Sequence, residues 1–446
     1  MLYLFAKGLR LLYILPIILF YSCRTSGPGI FGKKSPHEQY GDRITNAGLK
    51  STALGSSWFR VADQSISSPL SIKIPYKETG YFSADRPAAA GLRFNALRGQ
   101  KLMIIIERKP MTNFTVYVDL WKADSGNGKP NHIAAADTST YIIQHEVDGN
   151  SSYILRLQPE LLSSGEYTLS ITAGPSLAYP IKAPGKDHIK SFWGAEREGG
   201  ARSHEGIDMF APFRTPVVAA ADGRVTRVNE NTLGGKVVWL RLEDKNYTLY
   251  YAHLDSQLVT DGENVQIGDT LGLMGNTGNA KSTSPHLHFG IYTYSGPVDP
   301  LPFVNPVENI PEKIIAPIKL IGKLARNAGS YGLIYTQAST SLAAGMPIEA
   351  NTLLRIEAAT TSWFKVSLPD ERLGFIKSSL LNEAEKSLRT LTLKSDLPLL
   401  DKPDSLAAKK TSIPAGETVD ILGNFKEFYF IRTRQNISGW IIKVAL

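Results

Sequence analysis

Of the eight histidines in this chain of 446 residues, four fall between His204 and His288. They come in three groups. His204-Glu-Gly-Ile-Asp208 is first, Tyr251-Ala-His253-Leu follows, and Ser284-Pro-His286-Leu-His288-Phe-Gly290 closes the series. In a strand, residues i and i+2 point to one face, so His286 and His288 would set two imidazoles side by side. His204 and Asp208 are four apart, which could be one face of a helix. However, Gly199, Gly200, Gly206 and Pro212 surround them and favour a loop leading into a strand. Two imidazoles and a carboxylate, with a water in the fourth position, are how a catalytic zinc is held. A closed structural site would need four protein ligands, mostly cysteines, and this chain has one cysteine, Cys23. A lone histidine near a turn is ordinarily just solvated. The reading rests on three clusters and an aspartate falling together in a chain otherwise poor in histidine. His37, His132, His145 and His188 match no such pattern and read as surface or linker residues.

The elements that position these groups are mainly strands. Helix signals are few, and short runs rich in Val, Ile, Tyr and Thr, punctuated by Gly and Pro, are many. Between residues 58 and 175 the runs Lys101–Glu107, Phe114–Leu120, Tyr153–Leu157 and Tyr167–Ile171 are separated by glycine-bearing turns, a β-sandwich pattern. Its phrases GLRFNALRGQKL and LLSSGEYTLSITAG resemble the jelly-roll-type domains that accompany secreted bacterial peptidases. Further on, sliding the chain against itself by 65 residues pairs Ile348 with Ile413, Ala350 with Ala415, Ile356 with Ile421, Gly374 with Gly439, Phe375 with Trp440, Ile376 with Ile441 and Leu381 with Leu446. One gapless offset marks an internal repeat, with copies at 312–383 and 387–446. Each copy ends in Gly, an aromatic residue and Ile and resembles a bacterial SH3-like barrel, a family of cell-wall-binding modules. Two such barrels are expected to fold by themselves, so a chain cut after about Pro311 is expected to remain folded.

The stretch from 181 to 308 carries the most specific resemblance. HEGIDMFAPFRTPVVAAADGRV, YAHLDS and GLMGNTGNAKSTSPHLHFGIY resemble, in order, the three motifs of lysostaphin/LytM-type zinc peptidases, and GENVQIGDTLG between them is also typical. The resemblance implies a β-rich lysostaphin-like fold, zinc as cofactor, His204, Asp208 and His288 as its ligands, and His253 and His286 as catalytic histidines outside the ligand set. One of these two would act as general base, and the other would orient the water or stabilise the oxyanion. Glu205 stays outside the list, because the second histidine of a His-Glu-x-x-His helix is absent. Arg214 stands where the family has glycine, so a left-handed backbone there would carry a cost of about 1 kcal/mol.

The first 22 residues hold Lys7 and Arg10, no acidic residue, and an uncharged run from Leu11 to Ser22, as in a signal peptide. Cys23 follows directly, and the arrangement resembles a lipoprotein signal in which that cysteine is lipidated; an ordinary secretory leader is the plainer alternative. Residues 23–57, rich in Gly, Ser and Lys, read as a flexible tether. A net charge of +8 suits an anionic surface, but no clustered basic block suggests nucleic acid. The expectation is a mainly β, lipid-anchored zinc endopeptidase that cuts peptidoglycan cross-links. It would sit in the cell envelope, at the outer membrane facing the periplasm, held on the wall by the repeat. The alternatives are a non-catalytic adaptor that activates other wall hydrolases and a structural tether. The bond cut and the oligomeric state are not legible.

Overall fold

The structure is a computed structural model that describes residues 34–123, 128–183, 186–307, 309–340 and 345–443. Cys23, the leader and the first part of the tether lie outside them. Among the described residues, no helix is long and apolar enough to cross a membrane.

The later part of the expected tether is ordered, which corrects that reading. Helix Pro36–Asn46 starts at a capping box in which Ser35 accepts from the Glu38 amide and the Glu38 carboxylate accepts from the Ser35 amide. Helix Ala53–Ser67 follows, capped by Thr52. Its Trp58 donates to the Pro159 carbonyl at 3.0 Å and is 1% exposed. The helices therefore bury an apolar stripe on the sandwich, which outweighs their Gly/Ser-rich composition. His37 is corrected with them. It is buried, stacked on Trp58 with ring centres 4.5 Å apart, and bonded to Gln158 at 2.7 Å. Burial pushes its pKa down to about 4, so the ring is neutral at neutral pH.

The expected sandwich is present. One sheet runs in the order Leu70–Ser71, Ala90–Ala96, Ser151–Pro159, Val116–Lys122, Asn131–Ala135. It faces a sheet that contains Tyr76–Phe82, Gly165–Pro175, Gln100–Lys109 and Ile142–Glu146, and Leu92, Leu102, Leu155 and Leu169 fill the space between. The second sheet does not end at the sandwich. Thr79 and Gly80 pair with Ala359 and Ala358, so strands Leu353–Thr360, Trp363–Ser367 and Leu373–Lys377 of the first repeat copy extend it to nine strands. At the seam, Lys365 Nζ lies 2.6 Å from Glu78 Oε1, with the two side chains 4% and 0% exposed. Tyr76 and Tyr167 donate to the same carboxylate at 2.7 and 2.8 Å. The first copy is thus joined to the sandwich rather than free beside it, and the cut after Pro311 would sever that seam.

The repeat itself recurs strand for strand. Leu324–Asn327, Leu353–Thr360, Trp363–Ser367 and Leu373–Lys377 each return 65 residues later, as Arg389–Thr392, Thr418–Phe425, Phe428–Arg432 and Ser438–Ile442. The left-handed turn positions Asn351, Thr361 and Glu371 return as Gly416, Lys426 and Asn436, so the turn geometry is duplicated with the strands. The motif aromatics have a structural job: Phe375 and Trp440 are 0% and 4% exposed, and Phe375 belongs to the sandwich core. They therefore offer no surface to a ligand.

The central domain is a sheet in the order Ile189–Ser191, Ile207–Phe210, His286–Thr293, Thr248–Gln257, Gly235–Leu242, Gly223–Asn231, Asn264–Val265. Alternation sends Ile207, Met209, Leu249, Tyr251, Val238, Leu240, Leu287, Phe289 and Ile291 into one core. The opposite face keeps the polar and aromatic partners of these residues. The sandwich meets this domain through Lys245–Glu146, 2.6 Å apart, and through Phe303, which packs where a side chain at Gly99 would clash. Tyr294 and Ser295 line the same junction. They lie six or seven residues along the chain from His288, on the order of 20 Å of strand.

Candidate active site

Asp208 and His288 are directly opposite one another on adjacent antiparallel strands. His204 comes from the loop before Ile207–Phe210, as the surrounding glycines suggested. The three meet in a triangle. His204 Nε2, Asp208 Oδ1 and His288 Nδ1 are each 3.0 Å from the other two. Among the described residues they form a group of donors able to hold a metal ion. A tetrahedral zinc with bonds of ~2.0–2.1 Å sets its donors roughly 3.3 Å apart, so the three residues suit the ion. The tautomer agrees: His204 Nδ1–H donates to the Phe192 carbonyl at 2.9 Å, which leaves the Nε2 lone pair facing the other donors. Burial raises the Asp208 carboxyl, but the His204 and His288 rings, each 3.0 Å from its Oδ1, outweigh that and hold the group well below the usual carboxylate range.

One neighbour was not legible in the sequence. Arg197 Nη2 donates to Asp208 Oδ2 at 2.9 Å and to Ser191 Oγ at 2.6 Å. It fixes the carboxylate so that the other oxygen faces the histidines. Arg197 sits on the short hairpin Glu196–Arg197/Arg202–Ser203, and no spacing rule links it to Asp208. Replacing Arg197 with alanine is expected to weaken zinc binding by about 10- to 100-fold, as loss of such a supporting contact does. Competition with a zinc-binding dye measures this without reference to turnover, and unchanged affinity would show that the arginine does not position the ligand.

His253 and His286 stand beside the triangle, with ring centres 4.9 Å apart, and both are buried. His286 stacks on its cross-strand partner Phe210 at 4.8 Å. Its Nδ1–H donates to the Ser284 carbonyl and that of His253 to the Thr277 carbonyl, both at 2.9 Å. Each ring therefore keeps an Nε2 lone pair, the form needed to accept a proton. Burial, with His286 and His288 nearby, pushes the His253 pKa down to about 4. His253 reaches this face through a bulge. Lys236 pairs with Leu254 and Val238 with Tyr251, so one extra residue sits on the His253 strand. His253 takes φ +62°, and its amide bonds the Gly234 carbonyl at 2.7 Å. Arg214 has φ +67°, so the anticipated strain is present. Its amide bonds the Met274 carbonyl at 2.9 Å, and its guanidinium pairs with Asp255. Glu205 bonds only weakly, to Tyr292 at 3.5 Å, and is exposed.

The model of peptidase family M23 matches residues 202–300, a segment that contains all five of these residues. The chain carries a peptidase family M23 domain. The peptidoglycan DD-endopeptidase ShyC of Vibrio cholerae is 41% identical over 91 residues, which cover 20% of this chain and 20% of ShyC. The L-Ala–D-Glu endopeptidase of Bacillus subtilis is 33% identical over 127 residues, 27% of this chain and 39% of that protein. The uncharacterised lipoprotein YgeR of Escherichia coli is 34% identical over 110 residues, 24% of this chain and 42% of YgeR. The chain thus spans less than half the length of each of these relatives.

Proposed function

We propose that this protein is a zinc-dependent endopeptidase that hydrolyses peptide cross-links of bacterial peptidoglycan. The observation that carries the reading is the meeting, on one sheet face, of the His204–Asp208–His288 triangle with two histidines whose Nε2 lone pairs are unengaged. His204, Asp208 and His288 would hold the zinc, which would supply Lewis-acid polarisation of the scissile carbonyl and acidification of a water. His253 and His286 divide the remaining work. One accepts the proton of the attacking water, and the other steadies the charge that develops on the carbonyl oxygen. Asp208 contributes its negative charge to the ligand set and is held in place by Arg197. The adaptor alternative would be favoured by missing ligands, and here the full set is present.

The relatives named for endopeptidase activity cleave different bonds by name, so the class of substrate is proposed and the bond is left to experiment. The envelope location and the lipid anchor at Cys23 belong to the same proposal, supported by the leader sequence and the lipoprotein relative. Arg24 after Cys23, where an acidic residue would favour inner-membrane retention, supports an outer-membrane destination facing the periplasm. Metabolic lipid labelling of wild type and Cys23→Ser checks the anchor. Wall retention by the C-terminal repeat rests on the tandem architecture and the basic charge. To test the activity, purified sacculi are incubated with the protein and the released muropeptides are identified by mass spectrometry. Release that is abolished by a chelator and restored by zinc is expected. Sacculi that remain intact with zinc-loaded protein would refute the activity.

A further inference from the structure

The sheet face that carries the metal-ligand residues continues past them. Asp208, His288 and Ala252 lie opposite one another in one row. The next row on the same face is Gly290, Tyr250, Trp239 and Arg227, each directly opposite its neighbour. Two residues of strand separate the rows, about 7 Å. Tyr250 lies with its ring centre 5.9 Å from that of His288 and 4.3 Å from that of Trp239. Tyr292 closes the far side, 5.5 Å from Trp239.

Three features mark this row as a built surface. Trp239 is only partly covered, although its neighbour Tyr250 is buried. Gly290 lets the Tyr292 ring and the Glu205 carbonyl lie close against the floor, where a side chain would press on both. Arg227 is exposed, and no acidic side chain pairs with it among the described residues. The nearby Asp261 is engaged by the Val228 amide, and Arg241, further along the face, is held by Asn246. An aromatic floor thus ends in an uncompensated guanidinium. Aromatic faces take up aliphatic groups, and a guanidinium takes a carboxylate through charge-assisted hydrogen bonds.

We infer that this row is a specificity subsite for a carboxylate-bearing residue of the peptide being cut. Trp239 and Tyr250 receive the aliphatic part, and Arg227 receives the free carboxylate. Three strand spacings along the row and the ~7 Å between rows put the Arg227 backbone about 16 Å from that of His288, so at ~3.5 Å per residue a peptide residue four or five positions from the scissile bond lies beside it. The inference rests on the endopeptidase reading above and adds to it the chemistry of the preferred substrate, a stem peptide whose carboxylate is free rather than amidated.

The test uses the full chain, zinc-loaded, and two soluble cross-linked muropeptides that differ only in whether that carboxylate is free or converted to a primary amide. Wild type is expected to prefer the free carboxylate by roughly tenfold or more in kcat/KM. Arg227→Gln is expected to bring that preference close to unity, through a higher KM for the free carboxylate. Trp239→Leu is expected to raise KM for both substrates and to keep the preference. If wild type cuts both substrates equally well, or Arg227→Gln keeps the wild-type preference, the subsite is overturned and the endopeptidase reading stands. If wild type cuts neither substrate, the endopeptidase reading falls, and the subsite falls with it.

Discussion

Replacing His286 with alanine is expected to lower turnover by about 10²–10⁴-fold, the usual cost of losing a general acid–base group, while zinc stays bound. His288→Ala is expected to remove both turnover and metal. The two residues share a strand face, yet their geometry differs. His288 Nδ1 lies 3.0 Å from both His204 Nε2 and Asp208 Oδ1, whereas His286 bonds the Ser284 carbonyl and stacks on Phe210. Zinc content by mass spectrometry of the native protein, read beside kcat on a soluble muropeptide, separates the outcomes. Loss of metal from His286→Ala would reverse the assignment within the pair. Full activity in His286→Ala would leave His253 as the base, with His286 dispensable.

The second large effect lies far from the chemistry. Lys365→Met is expected to destabilise the protein by about 3–5 kcal/mol, because it leaves a buried carboxylate without its cation. Glu78 is 0% exposed, and its remaining partners, Tyr76 and Tyr167, are neutral donors whose own ionisation burial disfavours. Adding Glu78→Gln to Lys365→Met is expected to recover much of the loss, since removing both charges removes the uncompensated one. Denaturant unfolding of the two variants measures this directly. A single variant within ~1 kcal/mol of wild type would show that the seam between sandwich and repeat is not a stabilising contact. The same seam bears on truncation. A chain ending near Pro311 exposes the strand edge at Thr79–Gly80 and removes Trp363 and Phe375 from the sandwich core. It is expected to aggregate, where the repeat pattern alone suggested independent folding.

Much of the candidate site could be read from the chain. The i, i+2 spacing put His286 and His288 on one face, and the glycines around His204 marked a loop, because both are consequences of local backbone geometry. The 65-residue offset revealed the duplicated strands, since apolar and glycine positions repeated at one spacing mark the same strands in both copies. Other features depended on residues far apart in the chain. Simple alternation would send His253 into the core between Ala252 and Leu254. The bulge that turns it toward the other histidines is held by the carbonyls of Gly234 and Thr277, 19 and 24 residues away. His37 and the tether helices looked solvated, because the apolar surface that buries them, around Trp58, Tyr117 and Gln158, is assembled only when the sandwich folds. Arg197 and Asp208 are brought together by a hairpin with no signature of its own. The seam joins Glu78 to Lys365 across 287 residues. Sequence patterns report which face a side chain takes within its own strand. Which strands become neighbours, and so which charges must find partners, is decided by burying apolar surface over the whole chain.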